Sequence, residues 1–245
     1  MQLLANPKLV RTRVRLGGGL YLAAMGMLVL GLFVSNSRGE TNESVTIAWS
    51  TMIIGMGLWF VGIGQLRRWG PRQRQETKLA ESISDLDDRY KLYAYISSSL
   101  PDYILVSPAG VNVLVTRSES GDITAQAGDE WMKGKGPSIL GLFAIFDAPF
   151  GNPSAEAGKQ VEKIRQLLSS EGIEDVPVAP LIVFTDEKVR LQTGGSTVPV
   201  AKVKGLKDVL RRSAGKGKSV ALTTGRIREV QAIFDRRMEG AGAWR

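Results

Sequence analysis

The chain has 245 residues, a formal net charge of +8, and neither cysteine nor histidine. Those absences exclude disulfides, Cys-based zinc sites, Ser-His-Asp triads and Cys-His dyads, and leave any metal to oxygen ligands, as magnesium, manganese or calcium would accept. The charge is uneven, +7 over residues 1–74, −7 over 75–199 and +8 over 200–245, so the high pI is poor evidence for nucleic acid and only the C-terminal stretch is a candidate basic surface.

Residues 1–15 form a basic N-terminus carrying Lys8, Arg11, Arg13 and Arg15. From Leu16 to Ser37 there are 22 residues without a charge, and from Val45 to Leu66 another 22. About 20 apolar residues cross a bilayer core of about 30 Å, and neither run shows the polar stripe of a soluble helix. The sequence therefore predicts transmembrane helices over 16–37 and 45–66, joined by a short external loop over 38–44. Basic residues precede the first span, and Arg67, Arg68, Arg72 and Arg74 follow the second, whereas the loop carries only Arg38 against Glu40 and Glu43. The positive-inside rule places both termini in the cytoplasm of a multi-pass cell-membrane protein. The alternative for the first span is a cleaved signal peptide ending near Ser35-Asn36-Ser37, but its apolar core is longer than such segments carry. Glycines at 26, 31, 55, 57, 62 and 64 permit close helix packing, although the plainer account is that glycine is common in membrane helices.

A basic juxtamembrane linker, 67–78, leads into the soluble domain, 79–212. Leu79 to Arg89 has the spacing of an amphipathic helix. Leu92 to Ile96 is β-prone, and Tyr103–Ser107 and Val111–Thr116 flank Pro108-Ala109-Gly110 as a hairpin. Ile123 to Ala127 is a fourth short strand, and Pro137 to Gly151 is an apolar excursion without a clear period. Ser154 to Ser170 has one apolar face of Val161, Ile164, Leu167 and Leu168. Val178 to Phe184 reads as a buried strand, Val198 to Val203 as a weaker one, and Gly205 to Arg212 as a short helix. Residues 213–245 form a basic loop and a last helix that Thr224 caps. Gly215-Lys216-Gly217-Lys218-Ser219 lacks the spacing of a phosphate loop and reads as a flexible basic loop. Strands followed by alternating helices and strands predict an α/β (α+β) domain with a mixed sheet.

The run from Asp102 to Arg117, then Gly121-Asp122-Ile123, Trp131, Asn152-Pro153 and Val183-Phe184-Thr185, resembles the nuclease-related domain (NERD) family, a branch of the PD-(D/E)xK nucleases. The resemblance implies a restriction-endonuclease-like fold. It also implies a site in which two carboxylates hold a divalent cation that activates water, with a lysine two residues after the second on the same strand face. Asp102 stands where the family has its first aspartate. Val115 stands where it has an acidic residue, and Arg117 where it has lysine. Glu156 falls at the family's Asn-Pro-x-x-Gln glutamine, with Gln160 one turn on. Valine cannot ligate a metal and arginine cannot act as a base. Each residue also has a plainer role: Asp102 starts a strand, Val115 fills the core, Arg117 is a solvated edge residue, and Glu156 and Gln160 solvate a helix. Glu119 and Asp122 are turn residues near the missing ligand.

The sequence thus favours a membrane-anchored, NERD-like domain that has lost catalysis and acts in binding or scaffolding, with nucleic acid a candidate ligand. An active nuclease with a rebuilt site and a membrane-proximal interaction protein unrelated to nucleic acid stay open. The degenerate site comprises Asp102, Arg117, Glu156 and Gln160, with Asp102 the one candidate metal ligand. No cofactor is expected unless cleavage survives, in which case magnesium or manganese is implied. The expected partners are the lipid bilayer and, at the basic C-terminal region, nucleic acid or anionic lipid.

Overall fold

The computed structural model describes residues 1–37, 42–69, 75–134, 150–216 and 222–240. It divides into two units: one of residues 7–74, and one joining residues 1–6 to 75–245.

The first unit is a helical hairpin of α1 (Pro7–Ser37) and α2 (Asn42–Trp69). Both helices are long and apolar enough to cross a membrane, and both overrun the uncharged stretches. α1 begins nine residues before Leu16, with Pro7 at its first position and Lys and Arg, good helix formers by propensity, in its opening turns. Glycine matters more here than composition suggested. A Cβ on Gly62 would stand 2.8 Å from the Tyr21 amide nitrogen and 3.1 Å from the Gly17 carbonyl, and one on Gly31 would stand 2.9 Å from the Met52 side chain. Gly55 likewise faces Met27 and Leu28, whereas Gly26, Gly57 and Gly64 have open space. The glycines at 31, 55 and 62 are therefore packing residues, with Gly17 as a partner, and the mere-abundance account holds only for the others.

The second unit is a mixed α/β body. Its six-stranded sheet has the order β1-β2-β3-β4-β7-β9, with β1 Gln2–Ala5, β2 Lys91–Ala94, β3 Tyr103–Ser107, β4 Gly110–Arg117, β7 Val178–Phe184 and β9 Val200–Lys202. The β2–β3 and β3–β4 pairs are antiparallel; β1–β2, β4–β7 and β7–β9 are parallel. Gly110, at φ +122°, makes the hairpin turn, where a Cβ would meet the Pro177 carbonyl at 2.3 Å. A second sheet, β6-β5-β8, comprises β5 Asp122–Gln126, β6 Glu130–Lys133 and β8 Arg190–Gln192. The predicted fourth strand therefore leaves the main sheet. Most of the predicted excursion over 137–151, and most of the Gly215–Ser219 loop, lie outside the described residues.

The helices are α3 (Gln75–Ile83), α4 (Pro153–Ser170), α5 (Leu206–Lys216, after a 3-10 turn) and α6 (Thr224–Gly240). α3 starts in the predicted linker and stops at Ile83, where turns carry the chain to β2. On one face of the main sheet Tyr93, Ile104, Val106, Val111 and Val113 pack with Val161, Ile164 and Leu168 of α4 and with Ile227, Val230, Ile233 and Phe234 of α6. Alternation turns Leu92, Leu105 and Leu114 to the other face, where they are also buried. That face is left to α3 and α5, which pack on each other.

Two boundaries drawn from sequence shift as a result. Residues 2–5 are not simply a basic tail, since they pair with β2 in register from Gln2↔Lys91 to Ala5↔Ala94. α6 is not an appendage of 213–245, since Phe234 is fully buried and Asp235 receives both Lys91 Nζ and the Tyr93 hydroxyl. Its capping residue is Thr223, whose Oγ1 accepts from Arg226 N at 3.3 Å, and Thr224 falls inside the helix. Several of the basic side chains are engaged: Arg226 with Asp175 and Glu229, Arg237 with Glu171, Lys207 with Asp85 and Lys204 with Glu187.

Candidate functional site

β4 and β7 run side by side and finish together at Arg117↔Phe184. Alternation turns Val113, Val115 and Arg117 toward α4. Val115 and Phe184 are buried there with Ala157, Ile182 and Val189. Arg117 emerges at the strand end, where its carbonyl accepts from Thr185 N at 2.8 Å and its side chain turns to the first turn of α4.

There Arg117 Nη2 donates to Glu156 Oε2 at 2.5 Å, and Gln160 Nε2 donates to Glu156 Oε1 at 3.0 Å. The guanidinium carbon lies 5.9 Å from the centre of the Phe150 ring, within the range of a cation–π contact. Arg117 retains 19% of its side-chain exposure and Glu156 retains 44%, so the cation is the better-held partner. Arg117 Nε, Gln160 Oε1 and Glu119 Oε2 are buried with no hydrogen-bond partner among the described residues. Leaving such groups unpaired is costly, which marks this end of β4 as a place where packing yields to something else.

Asp102 stands one residue before β3. The β3–β4 register, continued one step beyond Tyr103↔Leu114, sets it across from Val115. Its carbonyl accepts from the Tyr95 amide at 2.8 Å. Tyr95 has φ 57°, a left-handed conformation that costs a non-glycine residue energy. The turn is held by a bond between the Tyr95 and Tyr103 hydroxyls. Burial pushes the Tyr103 hydroxyl well up, with Tyr95 next and the carboxylates of Glu76 and Asp102 adding to it. Glu76, in the first turn of α3, is thus a second carboxylate near this strand end; nothing in the sequence set it apart from ordinary first-turn acid.

The structure therefore brings Arg117, Glu156 and Gln160 into one network and puts Asp102 on the neighbouring strand at the register position facing Val115. Val115 fills the core, as its plainer reading had it. Of the two substitutes for the missing ligand, Asp122 is engaged by Arg190 on the small sheet, at 2.5 and 2.9 Å, whereas Glu119 keeps its buried carboxylate oxygen.

The frame around this centre rests on residues that the resemblance singled out. The Asn152 side chain caps α4, accepting from Ala155 N at 3.0 Å and donating to the Asp129 carbonyl at 2.9 Å. Pro153 follows at the first helical position, where its missing N–H costs nothing. Trp131 Nε1 donates to Ser154 Oγ at 2.9 Å, and Ser154 Oγ donates to Asp129 Oδ1 at 2.8 Å. Thr197 donates to the same carboxylate from its amide and its hydroxyl, and these bonds, the Thr197 hydroxyl foremost, hold Asp129 below the usual carboxylate range. Trp131, Asn152 and Pro153 thereby pin the small sheet to the start of α4.

A divalent cation of the PD-(D/E)xK kind does not fit these residues. Val115 offers no oxygen where a carboxylate is needed, and Glu156 is taken up by Arg117. No group of three or more acidic, histidine or cysteine ligands occurs among the described residues. Residues 72–185, spanning α3 to β7, match the family model described as nuclease-related domain, NERD. No curated protein and no solved structure matches the chain.

Proposed function

We propose that this chain, whose residues 72–185 are a nuclease-related domain, is a membrane-anchored binding or scaffolding protein that does not cleave nucleic acid. The observation that carries the reading is the Arg117–Glu156 pair at 2.5 Å beside Val115. A metal-dependent nuclease needs an anionic ligand set and a group able to move a proton or position water. Here one ligand position is apolar, and the cation that replaces lysine stays protonated and is neutralised by its neighbour. What remains is a restriction-endonuclease-like α/β unit with an intact frame and a positively charged group able to pair with phosphate.

Membrane anchoring is supported by the two long apolar helices. An orientation with both ends in the cytoplasm is supported by the basic residues flanking the hairpin. The pairing of β1 with β2 supports the placement of both ends on one side, because it ties the chain before the first helix to the domain after the second.

The test is cleavage of DNA and RNA by the full chain in detergent, with magnesium or manganese. The expected result is no turnover above the no-protein control. Turnover abolished by Asp102→Ala would overturn the reading in favour of an active, rebuilt site.

A further inference from the structure

We infer that the cytoplasmic end of α1 holds one anionic phospholipid, with its phosphate at Arg15 and Thr12 and an acyl chain along Gly19. This rests on the membrane-anchoring reading above and adds a lipid site to it.

The first observation is a groove on α1 itself. It is open, has a volume of about 450 Å³, and is lined by Thr12, Arg15, Leu16, Gly19 and Leu20. Those positions follow one another at steps of three and one, so they share one face of the helix. Polarity changes along that face: Thr12 and Arg15 precede the uncharged stretch, and Leu16, Gly19 and Leu20 lie within it. From Thr12 to Leu20 the helix rises about 12 Å. The headgroup layer of a bilayer is roughly 5–7 Å deep on each side, so such a face starts among headgroups and ends among acyl chains. The second observation is the state of the polar groups. Thr12 and Arg15 are exposed and make no hydrogen bond or ion pair among the described residues. A guanidinium at this depth keeps its head toward the headgroups. Its fork of donors matches two phosphate oxygens, and the Thr12 hydroxyl, one turn back, adds a further donor. The third observation is Gly19. Two residues earlier Gly17 packs on α2, where a Cβ would stand 2.9 Å from that of Gln65, but at Gly19 a Cβ would meet nothing within 4 Å. Helix contact therefore accounts for Gly17 and not for Gly19, whose missing side chain leaves a furrow beside Leu16 and Leu20. The choice of headgroup follows from charge. No acidic residue lines the groove or occurs in α1, so the ammonium of a zwitterionic lipid has no partner there, whereas an anionic headgroup meets a cation.

The test uses the full chain in neutral detergent, mixed with phosphatidylglycerol or phosphatidylcholine, and native mass spectrometry reads the lipid retained. The unaltered chain is expected to keep a single phosphatidylglycerol roughly fivefold better than phosphatidylcholine, the worth of one basic residue at an anionic surface. Arg15→Gln is expected to erase that preference. Gly19→Leu, which fills the furrow, is expected to weaken phosphatidylglycerol retention roughly fivefold, and Gly19→Ala by less. Arg13→Gln removes the same charge from another face of α1, and Gly64→Leu adds the same bulk at an open position of α2; both are expected to leave retention unaltered. The inference is overturned if the two lipids are kept equally, if Arg13→Gln matches Arg15→Gln, or if Gly64→Leu matches Gly19→Leu. Displacement of the lipid by glycerophosphoglycerol, the headgroup without chains, at equal concentration would also overturn it, by assigning the position to a free anion. Failure of both Gly19 variants to fold would do the same, since the position would then be a packing contact. Release of the unaltered chain from membranes by alkaline carbonate would instead remove the anchoring reading beneath, so the two failures are distinguishable.

Discussion

The hairpin and the α/β unit draw on the same apolar residue types and dispose of them in opposite ways. In the α/β unit Tyr93, Phe184 and Phe234 have no exposed surface, whereas in the hairpin Leu22, Phe33 and Ile53 keep 70, 66 and 68% of theirs. Large apolar side chains are thus covered in one unit and many are left exposed in the other, whose two helices are long and apolar enough to cross a membrane. Water drives the first burial. In the hairpin, apolar side chains face outward and small residues carry the helix contact, which suits lipid. The difference also says where each unit is vulnerable: the α/β unit to lost volume, and the hairpin to added volume.

The largest effect should come from truncation in the α/β core. Phe234 is fully buried with its ring 5.3 Å from that of Tyr93. Phe234→Ala should cost about 3–5 kcal/mol of stability in the α/β unit, read by chemical denaturation of the full chain in detergent. Phe33→Ala, in the hairpin, should cost far less in the same measurement. Equal losses would mean that Phe33 is covered in the working protein and that the contrast between the units is false.

The same contrast decides how much could be read from sequence. The two hairpin helices were legible from length and apolar composition, because each uncharged run is long enough to cross a bilayer. The sheet's centre was legible because β3, β4 and β7 obey local rules: a Pro-Ala-Gly turn between alternating runs, and a continuous apolar stretch after Pro177. β1, β6 and β8 were not, since each has only three or four residues and none has a clear apolar period. Their pairing is set at long range: Asp122 meets Arg190 across the small sheet, and Gln2 meets Lys91 across the whole hairpin. At the site, period-two alternation put Arg117 on the face of Val115 and the one-turn spacing put Gln160 beside Glu156, but only the family resemblance joined the strand to the helix. Neither rule reaches the turn that carries Tyr95 and Asp102, and neither signals Glu76, whose relation to Tyr103 depends on how α3 packs.

Adding volume to the hairpin should have an intermediate effect. At Gly62 the obstructing atoms are backbone, the Tyr21 amide and the Gly17 carbonyl, so a side chain is accommodated only by separating the helices. Gly62→Leu should destabilise the hairpin by about 1–3 kcal/mol. Gly57→Ala, where space is open, should be neutral or should gain up to about 1 kcal/mol from helix propensity. Protease resistance of the hairpin in micelles is the measurement. A tolerant Gly62 would return that glycine to the merely abundant class.

The smallest effect belongs to the frame around the site, where charge and not volume is at stake. Asp129 joins the small sheet to the start of α4 as a carboxylate, and Thr197 and Ser154 hold it below the usual range. In the native state it binds fewer protons than in the unfolded chain, so its contribution is complete above the ordinary carboxylate pKa of about 4 and is lost as pH falls through the lower native value. Asp129→Asn should therefore cost about 1 kcal/mol or less near neutral pH. The gap between variant and unaltered chain should close as the medium is acidified below pH of about 4, followed through the melting temperature of each. A gap that persists in acid would mean that Asp129 acts through shape alone, and that the frame, like the core, is held by packing.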